Sequence, residues 1–537
     1  MLINLSKNFI YSNKKSFGNN TRNSDVTEKN NCNTDKNIQK QNGNINEKNN
    51  STIIIPAVYG LDYFAHISSR IGINQTTKKS EADKINEVLE SKYGIKSDIK
   101  NLDILKPLNN VIKDFCNINK NNDLFRSDKY KLVLSEKSFV NKLENEKKIK
   151  DKKNLIDIRL NNGNKEFQIL FNQNINNWKE EDNREIKERY NSCLISTDNP
   201  NYNLYRVLTS FLLCKNNYQS GQIIYNVTKA RNNGKSNNTD NVRTSLLKLT
   251  LDSRSGSIMN SYIVSKMCRV PTSKFIDKLY EQLSGNKINL KFPEIKEEQV
   301  HIKEASFEEL DEITNKLKHT YGINVDFKGN TTYAKPILLS VESLTKAANN
   351  KNLFNGLNIE VDKKYFNSNK VSGKCISDTQ TGKRFVAFNP GLDLEGLEKE
   401  TRLAYEDGLI AANNIVHSSI THELAHWLQW GANDNFPYPI IDQGIQFINK
   451  YEDGTVDTKD CYKSTKQDCI ESLSLLAAAK VSNYAATDAG EFCSEYIAGK
   501  MDGKKYPKIT DILFETLYRG PKLNFPETDM QVNVSHS

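Results

Sequence analysis

The chain has 537 residues, long enough for two or three domains with sizeable cores. Lysine and arginine number 75 against 66 aspartates and glutamates, and the net charge of +9 is a mild excess spread over the whole length. No aromatic-and-basic motif concentrates it, so nucleic-acid binding is not expected, and no run of about 18 apolar residues offers a membrane span.

Residues 1–52 read as a disordered, asparagine-rich leader, with 15 asparagines among the first 50. Such a stretch buries too little apolar surface to offset the entropy of ordering it. Its opening, Met1 to Lys15, lacks the unbroken apolar core of a secretory signal. A flexible leader without a cleavable signal suits secretion by a specialised bacterial machine and, nearly as well, a cytoplasmic location, which is the second choice.

Residues 53–290 read as a mixed, helix-rich N-terminal domain serving targeting or substrate selection. Apolar periodicity predicts helices over Lys79–Tyr93, Leu102–Cys116, Phe139–Lys150, Leu204–Lys215 and Ser273–Leu283. A hairpin is expected from Leu155 to Phe171 about an asparagine-glycine turn. The lysine-rich stretch Lys147–Lys153 reads as a solvated helix end. No phosphate-binding glycine loop and no nucleophile elbow occur. The nine cysteines are scattered without a C-x-x-C pair, so neither a zinc ribbon nor a dithiol site is expected. Cys461 and Cys469 either pair across a loop or stay free in a reducing compartment.

A second domain, 291–537, carries the chemistry. Ser306 and Glu309 form a capping-box pattern opening a helix that stops before Gly322. Strands are expected at Ile323–Phe327 and Leu357–Val361, followed by a hairpin whose second strand is Arg384–Phe388. That strand is either an ordinary buried one or a free edge able to pair with an extended peptide. A helix is then expected from Leu409 to Trp430, stopped by Gly431. It contains His422-Glu423-Leu424-Ala425-His426, whose histidines, four residues apart, share a helix face and can grip one Zn²⁺. Glu423 stands where it can take a proton from an attacking water. Ile420, Leu424, Trp427 and Leu428 fall on the opposite side and anchor the helix in a core. His417 lies about 140° around the helix from His422 and reads as a packed or supporting residue.

The third ligand must come from elsewhere. Gln429 and Ala432 stand where an H-E-x-x-H-x-x-G-x-x-H site needs glycine and histidine, which excludes that class. A helical stretch from Ser482 to Lys500 offers Glu491 and Glu495 on one face, one to ligate and the other to hydrogen-bond the ligand shell. Cys493 falls on another face and reads as packing.

Tyr484, Thr487, Glu491, Phe492 and Glu495 stand in the order Y-x-x-T-x-x-x-E-F-x-x-E. With the upstream histidine motif this resembles the anthrax lethal factor-like zinc metallopeptidases. The resemblance implies Glu491 as third ligand, Glu495 behind the ligand shell and Tyr484 as the hydroxyl that helps hold the oxyanion. It further implies a secreted toxin or effector that binds one zinc per chain and cuts a protein substrate, here a host protein. The fold expected is α+β, with a small twisted sheet over two active-site helices. Two alternatives compete with this reading. A housekeeping zinc aminopeptidase needs an anchor for the free amine, and no such motif is found. A non-catalytic interaction protein with a decayed site would lack a ligand or base, and none is missing.

Overall fold

The computed structural model describes residues 79–138, 155–193, 195–216, 255–284, 289–294, 301–368, 371–377, 383–430 and 474–526. The leader, the helix expected over Phe139–Lys150, the Lys147–Lys153 patch, and Cys461 and Cys469 lie outside them. What is described is a mixed α+β chain with two four-stranded sheets and many helices.

In the first half, local signals set the helix ends. Ser80 accepts the Asp83 amide at the start of α1 (Glu81–Tyr93), and Gly94, at φ 70°, closes it. Helix α2 (Leu102–Asn119) turns Ile104, Leu105, Leu108, Val111, Ile112 and Phe115 inward. The same half holds a sheet of order β1-β2-β4-β3, built from β1 (Lys96–Ser97), β2 (Lys131–Lys137), β3 (Ile156–Asn161) and β4 (Glu166–Asn172). The expected hairpin is β3–β4, antiparallel, while β1–β2 and β2–β4 run parallel. Helices α3 (Trp178–Asn191), α4 (Tyr202–Lys215), α5 (Ser255–Met267) and α6 (Lys274–Ser284) complete this half. One core gathers residues between Ala82 and Leu290, Phe115, Phe171, Trp178 and Phe211 among them.

A second core holds residues between Ile302 and Leu523. The capping box at Ser306 and Glu309 is formed in full at the start of α7 (Phe307–Tyr321), and Gly322 ends the helix at φ 68°. Helix α8 (Ala334–Ala348) follows, with a sheet of order β5-β6-β8-β7 from β5 (Asn324–Asp326), β6 (Asn358–Val361), β7 (Gly373–Ser377) and β8 (Arg384–Phe388). Helices α9 (Leu394–Glu406), α10 (Thr421–Trp430), α11 (Ala489–Met501) and α12 (Lys508–Leu517) close the unit.

Of the two readings of Arg384–Phe388, the sheet order selects the buried strand. Strand β8 lies between β6 and β7, and Phe385 to Phe388 are all buried. Among the described residues the edge strands of this sheet are β5 and β7. The helix expected over Leu409–Trp430 needs a correction, because regular α-helix begins only at Thr421. A π-helical turn, Val416–Ile420, precedes it, and the chain before that is irregular. There backbone partners come from outside the segment: Leu409 accepts the Tyr484 amide at 3.0 Å, and the Ala411 amide donates to Glu495 at 2.6 Å. Asn414 Oδ1 accepts the Val416 amide at 3.1 Å, so this asparagine supplies the start signal that uninterrupted periodicity conceals.

The end of α3 reaches the second core. Cys193 is buried within it, Tyr190 donates to the Lys505 carbonyl at 3.3 Å, and Asn191 accepts the Lys508 amide at 3.4 Å. Among the described residues no helix is long and apolar enough to cross a membrane. The described cysteines Cys116, Cys193, Cys214, Cys268, Cys375 and Cys493 are free thiols.

Candidate metal centre

Helix α10 brings one turn of the chain against the core on its back and frees its other side. Ile420, Leu424 and Leu428 are buried in the second core, with Trp427 packed against it. Above α10, the π-turn is held from two directions. Thr421 Oγ1 donates to the Val416 carbonyl at 2.7 Å, and Ser340 of α8 bonds both that carbonyl and the Thr421 hydroxyl. Helix α11 starts where Asp488 accepts the Glu491 amide at 2.9 Å, and Glu491 therefore leaves the first turn in a set direction. Gln429 ties the two helices together, donating to Ser494 Oγ at 2.9 Å and to the Gly490 carbonyl at 3.3 Å.

Across that junction three ligand-type atoms converge. His422 Nε2 lies 3.1 Å from His426 Nε2 and 3.0 Å from Glu491 Oε2, and His426 Nε2 lies 3.3 Å from the same oxygen. Among the described residues these three form the group able to hold a metal ion. A tetrahedral ion with bonds of about 2.0–2.1 Å spaces its ligand atoms about 3.3 Å apart, so the triangle has the size a zinc-type ion needs. Two imidazole nitrogens and a carboxylate turned on one point also make a poor cluster without a shared proton or cation between them. Donor type, spacing and burial all fit a metal ion.

Glu495, fully buried on the next turn of α11, stands behind the cluster. Its Oε1 is 2.7 Å from His422 Nδ1 and its Oε2 takes the Ala411 amide, so it orients the His422 ring from the far side. Burial opposes a charged His422, but Glu491 and Glu495 outweigh it and hold that imidazole well above its ordinary range. Burial likewise works to raise Glu491, yet the two histidines prevail and keep it well below the usual carboxylate range.

Glu423 sits beside β7. Burial raises its carboxyl, countered in part by both histidines and by the Cys375 amide, which donates to it from the strand. The strand can come this close because residue 373 is glycine: a Cβ there would lie 2.7 Å from Glu423 Cγ and 3.1 Å from the Phe388 ring. Tyr484 lies in a turn ahead of α11, its ring stacked on His422 with centroids 5.7 Å apart and 43 % exposed. Burial of its hydroxyl end, together with the charge and hydrogen bond of Glu491, pushes the phenol above its ordinary range. His417 is not part of the cluster. It lies in the π-turn with its Nδ1 buried and unpartnered, and burial lowers it to about 4, so it is neutral at physiological pH.

His422, Glu423, His426, Tyr484, Glu491 and Glu495 thus come together at one place, while Gly373, the Cys375 amide, Asn414 and Gln429 join them without a motif of their own. Asp488 had a readable signal, an acidic cap three residues before Glu491. No protein-family model, curated protein or solved structure matches the chain.

Proposed function

We propose that this protein is a zinc-dependent endopeptidase with a zincin-like catalytic domain, in keeping with its resemblance to the lethal factor-like peptidases. The observation that carries the reading is the convergence of His422, His426 and Glu491 within 4.8 Å, with Glu423 alongside. His422 and His426 on α10 and Glu491 on α11 would hold the zinc, which supplies Lewis acidity toward the scissile carbonyl when bound. Glu423 accepts the proton of the attacking water and delivers it to the leaving amine. Its raised carboxyl suits both halves of that task better than an ordinary glutamate would. The Tyr484 hydroxyl, with a proton it does not give up near neutrality, donates to the developing oxyanion. Among the described residues the sheet edge next to Glu423 is β7, with its Cys375 amide on that glutamate, so an extended substrate aligns along β7 and not along β8. Action on a host protein as a toxin or effector follows from the resemblance alone.

The test is metal analysis beside a proteome-wide search for new N-termini, wild type against Glu423→Gln. One zinc per chain is expected, strongly weakened by His422→Ala, His426→Ala or Glu491→Ala. Glu423→Gln should keep the zinc and lose nearly all turnover; full activity in that variant sinks the mechanism. Tyr484→Phe should lower kcat on the order of 10²–10³ with KM little changed. If Glu495→Ala empties the site while Glu491→Ala leaves it full, the ligand is Glu495.

A further inference from the structure

Among the described residues, strand β3 is the outermost strand of the first sheet, hydrogen-bonded on one side only. It has six residues, whereas the opposite edge strand, β1, has two, so β3 is the longer edge of that sheet. Soluble proteins blunt such edges with short strands, bulges or inward charges. Here Ile158 and Leu160 stand 36 % and 47 % exposed on it. Their cross-strand neighbours on β4, Ile169 and Phe167, are buried, so the apolar face of the sheet runs outward to a partly exposed rim.

The hydrogen-bond phase of the edge can be read off. The Leu155 carbonyl accepts the Asn172 amide at 3.0 Å, in register with the β3–β4 ladder. Antiparallel ladders alternate, so Asp157, Arg159 and Asn161 bond to β4 while Ile156, Ile158 and Leu160 turn their N–H and C=O groups outward. A second antiparallel β3 must therefore pair outward-facing residues with each other. A twofold axis at Asp157 would set Asp157 against its own copy, and one at Arg159 would oppose two guanidinium groups. An axis at Ile158 sets Ile158 on Ile158 and Ile156 on Leu160, and it places each Asp157 opposite the other copy's Arg159. Within one chain Arg159 Nε already lies 2.8 Å from Asp157 Oδ2, so the dimer would join two such pairs into one alternating network.

We infer that β3 is a self-association edge at which two copies of this chain pair antiparallel about Ile158, joining two four-stranded sheets into one of eight. The occupant is a second copy because the charge pattern Asp157-Ile158-Arg159 is complementary to itself in one register and repulsive in its neighbours. The pairing uses none of the residues of the candidate metal centre, which lies between α10 and α11.

The experiment is sedimentation velocity of the full-length protein over a wide concentration range, with two single variants and their mixture. Wild type should show a reversible monomer–dimer equilibrium. Asp157→Arg puts two arginines, and Arg159→Asp two aspartates, on each edge, so each variant alone should dimerise on the order of ten- to hundredfold more weakly. Mixed in equal amounts, the two should form a heterodimer of near wild-type strength, and the double variant Asp157→Arg/Arg159→Asp should recover the homodimer. Recovery on mixing also shows that neither single variant had failed to fold. A wild type monomeric at all concentrations overturns the proposal. So do single variants that dimerise like wild type, or a mixture that stays monomeric.

Discussion

At the scale of single residues, the site depends on one side chain that is absent. Gly373 lets β7 run against Glu423, and the Cys375 amide two residues on then bonds that carboxyl. Gly373→Ala would set a methyl group 2.7 Å from Glu423 Cγ and 3.1 Å from Phe388. The glutamate is held by the strand it would have to leave, and the phenyl ring is buried, so neither can give way freely. We expect turnover to fall at least about tenfold and stability to drop by roughly 1–3 kcal/mol, with bound zinc unchanged. The check is kcat, zinc content and the unfolding midpoint of this variant side by side with Glu423→Gln. Normal turnover would mean that the strand shifts instead and that its contact with Glu423 has no part in catalysis.

At the scale of elements, packing assigns protonation as well as position. In the first half, α3 and α4 meet through Asp182, whose carboxylate accepts the Asn203 side-chain amide at 2.8 Å in a site only 2 % exposed. Burial pushes Asp182 up to about 7, against that hydrogen bond and the nearby arginines. From about pH 4 to about pH 7 the folded chain keeps a proton that the unfolded chain has released. This group's contribution to stability therefore falls as pH rises through that window and levels off above it. Asp182→Asn retains an acceptor for Asn203 and removes the charge. It should stabilise the protein by roughly 1–3 kcal/mol above about pH 7 and change little near pH 4. Denaturant unfolding at the two pH values tests this, and an equal effect at both would show that burial of the charge is not what the substitution relieves. In the second half the equivalent role falls to α10 and α11, where Gln429 and the Asp488 cap fix the angle at which Glu491 meets the histidines.

At the scale of the whole molecule, the two cores are joined where the end of α3 docks beside α12 through Tyr190, Asn191 and Cys193. A fragment beginning at Lys291 keeps all three residues of the candidate metal cluster and the core behind them, so on the proposed reading it should fold and bind one zinc. Cys193 Sγ lies 3.8 Å from Thr510 Oγ1 of α12, so without Cys193 and its neighbours the fragment loses that packing and should unfold at lower denaturant than the full chain. Zinc stoichiometry and a urea titration of the fragment provide the measurement. An insoluble or metal-free fragment would mean that the cores form only together.

The sequence alone carried whatever short-range geometry governs. Two histidines four apart share a helix face whatever surrounds them, and Ser306 with Glu309 caps α7 through contacts three residues long. The hairpin β3–β4, the last residue of α1 and both ends of α7 were legible for the same reason, while α1 starts at Glu81 and not at Lys79 because Ser80 caps it. The Leu409–Trp430 stretch misled because periodicity records which face is apolar, while Asn414, Glu495 and the Tyr484 amide decide where regular helix starts. Tertiary structure decided the rest. Glu491 comes within 3.3 Å of His426 across 65 residues of sequence only because α11 packs on α10. Which arm of the hairpin is the edge depends on sheet order, since β7 and β8 read alike as its two strands. The charges of His422 and Glu423 follow from burial and from neighbours distant in the chain, quantities that exist only once the chain has folded.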